Sequence, residues 1–167
     1  GNPTLYHYQM ENLCKTKVKK EGSLFDIMND DEKYKKLYQK ANKLQRTGTL
    51  ANRLFEAERF NGAVVFFKPS TAKWLYTKFS ATKVLDPTAG WGGRMLGAYA
   101  RNISYIGIDT NVSLKPAYDA MIQKLGKNNL QMIWKSCLDV DFSVLHYDFV
   151  LTSPPYINLE VYEHMTP

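Results

Sequence analysis

The stretch Lys83-Val84-Leu85-Asp86-Pro87-Thr88-Ala89-Gly90-Trp91-Gly92-Gly93-Arg94 decides the fold. A short apolar run of strand character meets an acid and a proline, passes through three glycines, and opens into a helix from about Arg94 to Arg101. Glycines at such a turn let the backbone adopt positive φ and approach a ligand closely, and a helix start offers unpaired N–H groups. Nineteen residues beyond Gly90, a second strand, Tyr105 to Ile108, ends in Asp109. In nucleotide-binding α/β folds an acid at that point accepts hydrogen bonds from ribose hydroxyls. The spacing Gly90-x-Gly92-Gly93 lacks the third glycine of the dinucleotide fingerprint, and no Lys-Ser or Lys-Thr follows to make a P-loop. A plain glycine-rich turn is the competing reading of this segment taken alone.

Two further strands, Leu130 to Trp134 and Asp148 to Leu151, follow a helix from about Ser113 to Leu125 whose Leu114, Ala117, Met121 and Leu125 point inward and which Gly126 ends. Strands alternating with helices give a parallel sheet with right-handed crossovers. Upstream, Pro69 and Ser70 open a helix with Ala72, Leu75, Tyr76 and Phe79 on one face, after a short apolar run from Ala63 to Phe67. Earlier still, Tyr34, Leu37, Tyr38, Ala41 and Leu44 recur at helical spacing, with acids at the start and Lys43 and Arg46 at the end, until Gly48. Thr49 caps a second helix to about Phe60, with Leu50, Leu54 and Ala57 on one stripe. Residues 1–23 have no clear period, and their Lys15, Lys17, Lys19 and Lys20, alternating with Thr16 and Val18, read as a tethered arm or an edge strand. The expected division is a basic N-terminal arm with helices over 1–60 and an α/β part over 61–167.

A chain of 167 residues with 44% hydrophobic residues is long enough for one globular core, which argues against general disorder. Its net charge of +6 suits an acidic partner, nucleic acid first; a basic solvated surface is the alternative. Residues 1–48 hold ten basic and six acidic residues, so the bias is mostly N-terminal. Cys14 and Cys137 stand far apart without metal-ligand spacing, so neither a disulfide framework nor a zinc site is indicated and no metal is expected. No apolar run approaches the roughly 18 residues of a membrane span and no signal peptide is recognisable. The expectation is a cytoplasmic or nuclear protein, not a secreted one.

A second constellation carries the chemistry: the strand Asp148-Phe149-Val150-Leu151 runs into Thr152-Ser153-Pro154-Pro155-Tyr156. The tetrad resembles the (Asn/Asp/Ser)-Pro-Pro-(Tyr/Phe/Trp) motif of enzymes that methylate exocyclic amines. Asp86 to Gly92 likewise resembles the Asp-Pro-x-x-Gly-x-Gly loop of S-adenosylmethionine-dependent DNA amino-methyltransferases. The resemblance covers residues 60–160. It implies a Rossmann-like class I methyltransferase fold with S-adenosylmethionine as cofactor, held by Asp86, Thr88, Ala89, Gly90, Trp91 and Gly92. Asp86 then faces the cofactor's amino group, Asp109 its ribose, and Asp139, with Asp141 behind it, its adenine. Phe67, in Phe67-Lys68-Pro69, resembles the element that packs beside the methionine moiety; Phe60-Asn61-Gly62 is a rival match, and core packing is open for both phenylalanines.

The roles implied for Ser153, Pro154, Pro155 and Tyr156 follow from the target. An aromatic amine is a poor nucleophile because its lone pair is conjugated into the ring. Two acceptors gripping its N–H bonds, the Ser153 side chain and a Pro154 carbonyl fixed by consecutive prolines, favour a pyramidal nitrogen. Tyr156 offers a flat face worth on the order of 1–3 kcal/mol, comparable to the few kcal/mol needed to flip a base out of its stack.

DNA is the expected polymer, with cytosine N4 and adenine N6 both open as targets. An RNA base methyltransferase and a non-catalytic binding module of the same fold are the alternatives. The family's sheet has seven strands, and about three more are needed after the fourth. The sheet is therefore expected to be incomplete in this chain, with further sequence or a second chain supplying the rest and the base-recognition region.

Overall fold

The computed structural model describes residues 2–17, 22–44, 48–59 and 65–154. The chain divides into two compact units, Gly1–Gln9 with Phe66–Pro167, and Met10–Val65.

The first unit is built on a parallel sheet of β1 (Lys83–Asp86), β2 (Ser104–Asp109), β3 (Leu130–Trp134) and β4 (Phe149–Val150), in the order β3-β2-β1-β4. This is the start of the doubly wound, Rossmann-like order, in which the chain moves outward through β2 and β3 and then returns to the other side of β1. The expected α/β class and all four strands are present. Strand β1 is flanked on both sides, and its Val84, Leu85 and Asp86 are all buried. Strand β4 pairs only with β1 among the described residues. Asp148, just before β4, anchors it: its carboxylate accepts from the backbone N–H of Lys83 at 2.9 Å and from the Thr82 hydroxyl and N–H.

Helices fill the faces. Helix α5 (Pro69–Lys78) has Pro69 in its first turn, where a missing N–H costs nothing, and buries Ala72 and Tyr76. It meets α6 (Gly93–Tyr99) so closely that a Cβ on Gly97 would stand 2.6 Å from the Ala72 Cβ. Helix α7 (Lys115–Leu125) follows a 3-10 turn, Val112–Leu114, and ends in left-handed Gly126, as its sequence predicts.

The second unit packs α2 (Leu24–Met28), α3 (Asp31–Lys43) and α4 (Leu50–Arg59) around Leu24, Ile27, Leu37, Ala41, Leu54 and Ala57. Helix α2 starts with a capping box in which Ser23 and Asp26 satisfy each other's backbone N–H groups. Asp30 caps α3 through the N–H of Lys33.

One expectation is overturned. Instead of an arm or edge strand, Asn2–Lys15 forms helix α1. Its buried positions include Leu5 and Gln9, one turn apart and both fully inaccessible. A glutamine on the inward face removes the apolar period from which a helix is read. No helix among the described residues is long and apolar enough to cross a membrane.

Candidate active site

Because β1 pairs with both β2 and β4, the loop leaving β1 lies between the ends of its two neighbours. Two hydrogen bonds make this concrete. The Gly90 N–H donates to Asp109 Oδ2 at 2.7 Å, joining the loop to the end of β2. The hydroxyls of Thr88 and Thr152 meet at 2.6 Å, joining it to the segment after β4 that carries Ser153 and Pro154. Those two residues are exposed; Pro155 and Tyr156, like the rival Phe60-Asn61-Gly62, lie outside the described residues.

The loop conformation depends on its glycines. Gly90 has φ 59° and Gly92 φ 93°, left-handed values that side chains disfavour. Gly92 is also the N-cap of α6 and supplies no side chain to the free N–H groups there. Asp109 is half-buried, and its other oxygen, Oδ1, accepts from Asn111 N–H at 2.9 Å. A carboxylate has about four lone-pair sites, so Asp109 keeps acceptor capacity for a ligand.

Beneath the loop sits a buried polar cluster. Asp86 is fully inaccessible and Arg94 only 4% exposed. The Arg94 Nε donates to Asp86 Oδ2 at 2.6 Å, the Tyr105 hydroxyl donates to the same oxygen at 2.6 Å, and Arg94 Nη2 donates to the Thr88 carbonyl. Burial pushes the Asp86 carboxyl above its ordinary range, against the pull of the adjacent guanidinium. Burial lowers the Arg94 guanidinium, but Asp86, together with Tyr105 and Tyr118, holds it above its ordinary value. The Tyr118 hydroxyl, from α7, donates to the Gly90 carbonyl at 2.9 Å. Burial, with Asp86 adding to it, holds the Tyr105 and Tyr118 phenols well above their ordinary range, so both stay neutral donors. Asp86 Oδ1 is buried and has no hydrogen-bond partner among the described residues. Such an orphan costs about 1–3 kcal/mol and marks a place for a donor.

Aromatic groups flank the loop. The Phe67 ring lies 5.1 Å from the Arg94 guanidinium carbon, and its carbonyl would be 1.9 Å from a Cβ on Gly93. Half-buried Trp91 has its ring 5.4 Å from Phe66, which is 5.0 Å from Tyr6. Gln9 donates to the Trp91 carbonyl at 3.3 Å. Ala89 is buried, and its N–H donates to the Ile108 carbonyl at 2.9 Å. Asp86, Thr88, Ala89, Gly90, Trp91, Gly92, Asp109 and Phe67 are thus linked by contacts to one loop. Asp139 is not: it is exposed on the 3-10 turn Cys137–Asp139, with no side-chain hydrogen bond among the described residues, and Asp141 accepts from Ser143 instead.

The motif reading gave no role to Arg94, Tyr105, Tyr118, Thr152 or Gln9. Arg94 did leave a signal. It is the lone charge in Gly93-Arg94-Met95-Leu96-Gly97-Ala98, a run that is otherwise apolar or glycine, and a cation so placed needs a buried partner.

No family profile and no curated protein matches the chain. Among solved structures, two of the N-terminal domain of EvdMO1 are similar. One, determined in the presence of SAH and D-fucose, is 21% identical with a TM-score of 0.46, covering 53% of this chain and 40% of that one. The other, with SAH bound, is 16% identical with the same TM-score of 0.46, covering 70% of this chain and 52% of that one. This chain thus spans about half the length of the structures it matches.

Proposed function

We propose that the chain is an S-adenosylmethionine-dependent methyltransferase, and that its target is the exocyclic amine of a DNA base, cytosine N4 or adenine N6. The observation that carries this reading is the Thr88–Thr152 contact, which sets the glycine-rich loop against the Ser153-Pro154 segment across adjacent strands. Methyl transfer needs that proximity, because donor and acceptor must lie in line within one site. The cofactor, when bound, supplies a sulfonium methyl group.

The residues present fit that cofactor. Asp109 has acceptor capacity for ribose hydroxyls, the positive-φ glycines leave the loop free of Cβ atoms, and Asp86 Oδ1 is an unmatched acceptor for an ammonium. Arg94 and Tyr105 act as positioning residues by holding Asp86 and the Thr88 carbonyl from below. Ser153 and the Pro154 carbonyl grip the amine, Tyr156 stacks on the base, and Asp139 takes the adenine edge. Catalysis is then placement and local electrostatics, with no covalent enzyme intermediate.

The test has two stages. Calorimetric titration with S-adenosylmethionine should show binding; its absence would overturn the reading at its root. Incubation with labelled cofactor and duplex DNA, followed by nucleoside mass spectrometry, should yield N4-methylcytosine or N6-methyladenine. Tyr156→Ala should abolish that product while sparing cofactor affinity. Methylated RNA nucleosides, with unmodified DNA, would assign the activity to RNA instead.

A further inference from the structure

We infer that the solvent face of helix α3 docks duplex DNA. Residues 33–43 contain five lysines and no acid. The helix turns its apolar side, Leu37 and Ala41, into the core of the second unit. Lys33, Lys35, Lys36 and Lys43 are all exposed on the rest of its surface. On a helix of about 3.6 residues per turn, Lys35, Lys36 and Lys43 fall within roughly 100° of arc opposite that buried side, and Lys33 borders it.

Two ordinary explanations of such lysines fall short. The helix dipole favours cations in the last turn, which accounts for Lys43 but not for Lys35 and Lys36 in the first half. The acids one turn earlier, Asp31 and Glu32, could neutralise Lys35 and Lys36 at i,i+4 spacing, yet neither pair is within ion-pair distance in the structure. Lys33 has a local acid, Asp30, at 3.6 Å, and Lys40 has an interaction of its own, which leaves Lys35, Lys36 and Lys43 to carry the inference. Lys35, Lys36 and Lys43, exposed together and without an ion pair among the described residues, fit a polyanion.

The shape selects among polyanions. A B-form major groove about 12 Å wide admits a single α-helix, with its phosphates within reach of lysines on the helix's exposed face. The deep, narrow major groove of A-form RNA does not. Gln39, exposed within the lysine arc, puts an amide where base edges would lie.

The inference shares its partner with the proposed function but does not need the methyl-transfer chemistry, and the experiment uses no cofactor. Binding of the full chain to a fluorescent 20-base-pair duplex is followed by anisotropy over a series of salt concentrations. Each phosphate neutralised contributes about −0.9 to the slope of log affinity against log salt. The triple variant Lys35→Ala, Lys36→Ala, Lys43→Ala should reduce that slope by about two to three and weaken binding at least tenfold, while circular dichroism is unchanged. A control triple of exposed lysines elsewhere, Lys73→Ala, Lys124→Ala, Lys135→Ala, removes the same net charge and should leave most of the slope intact. Four results would overturn the inference: an unchanged slope in the α3 variant; an equal loss in the control; equal affinity for duplex RNA; or phosphatidylserine vesicles captured as tightly and lost with the same substitutions. DNA binding through α3 without methyl transfer would leave this inference standing and remove the proposed function; methyl transfer unaffected by the α3 triple would do the reverse.

Discussion

Asp109 holds Gly90: a carboxylate at the end of one strand accepts the backbone N–H of a loop that leaves its neighbour, at 2.7 Å. The same side chain therefore shapes the loop and, in the proposed function, takes the ribose. Asp109→Ala should weaken S-adenosylmethionine binding by about 10- to 100-fold, the range of one lost hydrogen bond to a charged group. Asp109→Asn keeps one oxygen and should lose less. Titration calorimetry on the three proteins checks the order; equal affinity in wild type and Asp109→Ala would rule out the ribose role.

The buried pair of Asp86 and Arg94 makes a different forecast, about stability. Removing one partner strands the other charge in a buried site, which costs about 3–5 kcal/mol, whereas replacing both by apolar groups is often near neutral. Arg94→Met should therefore be severely destabilised, and Asp86→Leu with Arg94→Met should recover much of the loss. Urea unfolding of the single and double variants gives the coupling directly. Additive losses would mean that the two residues act independently.

How far the sequence disclosed this molecule depends on which physical signal each part leaves. The four strands and helices α5 to α7 were legible because apolar periods, Pro69 and Gly126 mark them without long-range knowledge. The loop and its acid were legible because positive-φ glycines and a strand-end Asp109 are local features. Helix α1 was not, since its inward face carries Gln9, whose partner Trp91 is 82 positions away. The contact between Thr88 and Thr152 was equally hidden: two threonines 64 positions apart meet only because β4 returns to the side of β1. Tyr118 lies on the face of α7 next to the predicted stripe, and no pattern in one sequence says that its hydroxyl meets the Gly90 carbonyl.

Asp148 should give the fold an acid-sensitive edge. Hydrogen bonds from the Thr82 hydroxyl, then from the backbone of Lys83 and Thr82, hold its carboxyl below the ordinary value of 3.8. With the folded-state value depressed, the stabilisation is fully present above that ordinary value and is lost as the pH falls through the lower one. The residue is exposed, so the contribution is about 1 kcal/mol, that of a hydrogen bond in reach of solvent. Asp148→Ala should lower the melting temperature at pH 7, and the difference from wild type should shrink below pH 3.8. A difference that stays constant down to pH 2 would show that the carboxylate charge is not what anchors β4.

Three glycines test the packing of the first unit, because the same change to alanine meets a different obstacle at each. At Gly126 a Cβ would find open space, so only the left-handed φ of +61° counts, and the cost should be about 1–2 kcal/mol. At Gly97 the conformation is helical and tolerant, but the new Cβ would stand 2.6 Å from the Ala72 Cβ and 3.0 Å from the Lys73 nitrogen and the Pro69 carbonyl. Forcing α5 and α6 apart should cost about 1–3 kcal/mol, and Ala72→Gly should restore part of it by removing the facing methyl group. At Gly93 the new atom would lie 1.9 Å from the Phe67 carbonyl oxygen, and backbone cannot rotate away as a side chain can. Gly93→Ala should therefore cost about 3 kcal/mol or more and should also displace the Phe67 segment from Arg94. Urea unfolding of the three variants should rank Gly93→Ala as the most damaging, and Ala72→Gly should rescue Gly97→Ala but not Gly93→Ala. A Gly93→Ala protein as stable as Gly126→Ala would mean that Phe67 and the start of α6 do not approach each other as described, and the contact that seats Phe67 beside the loop would have to be abandoned.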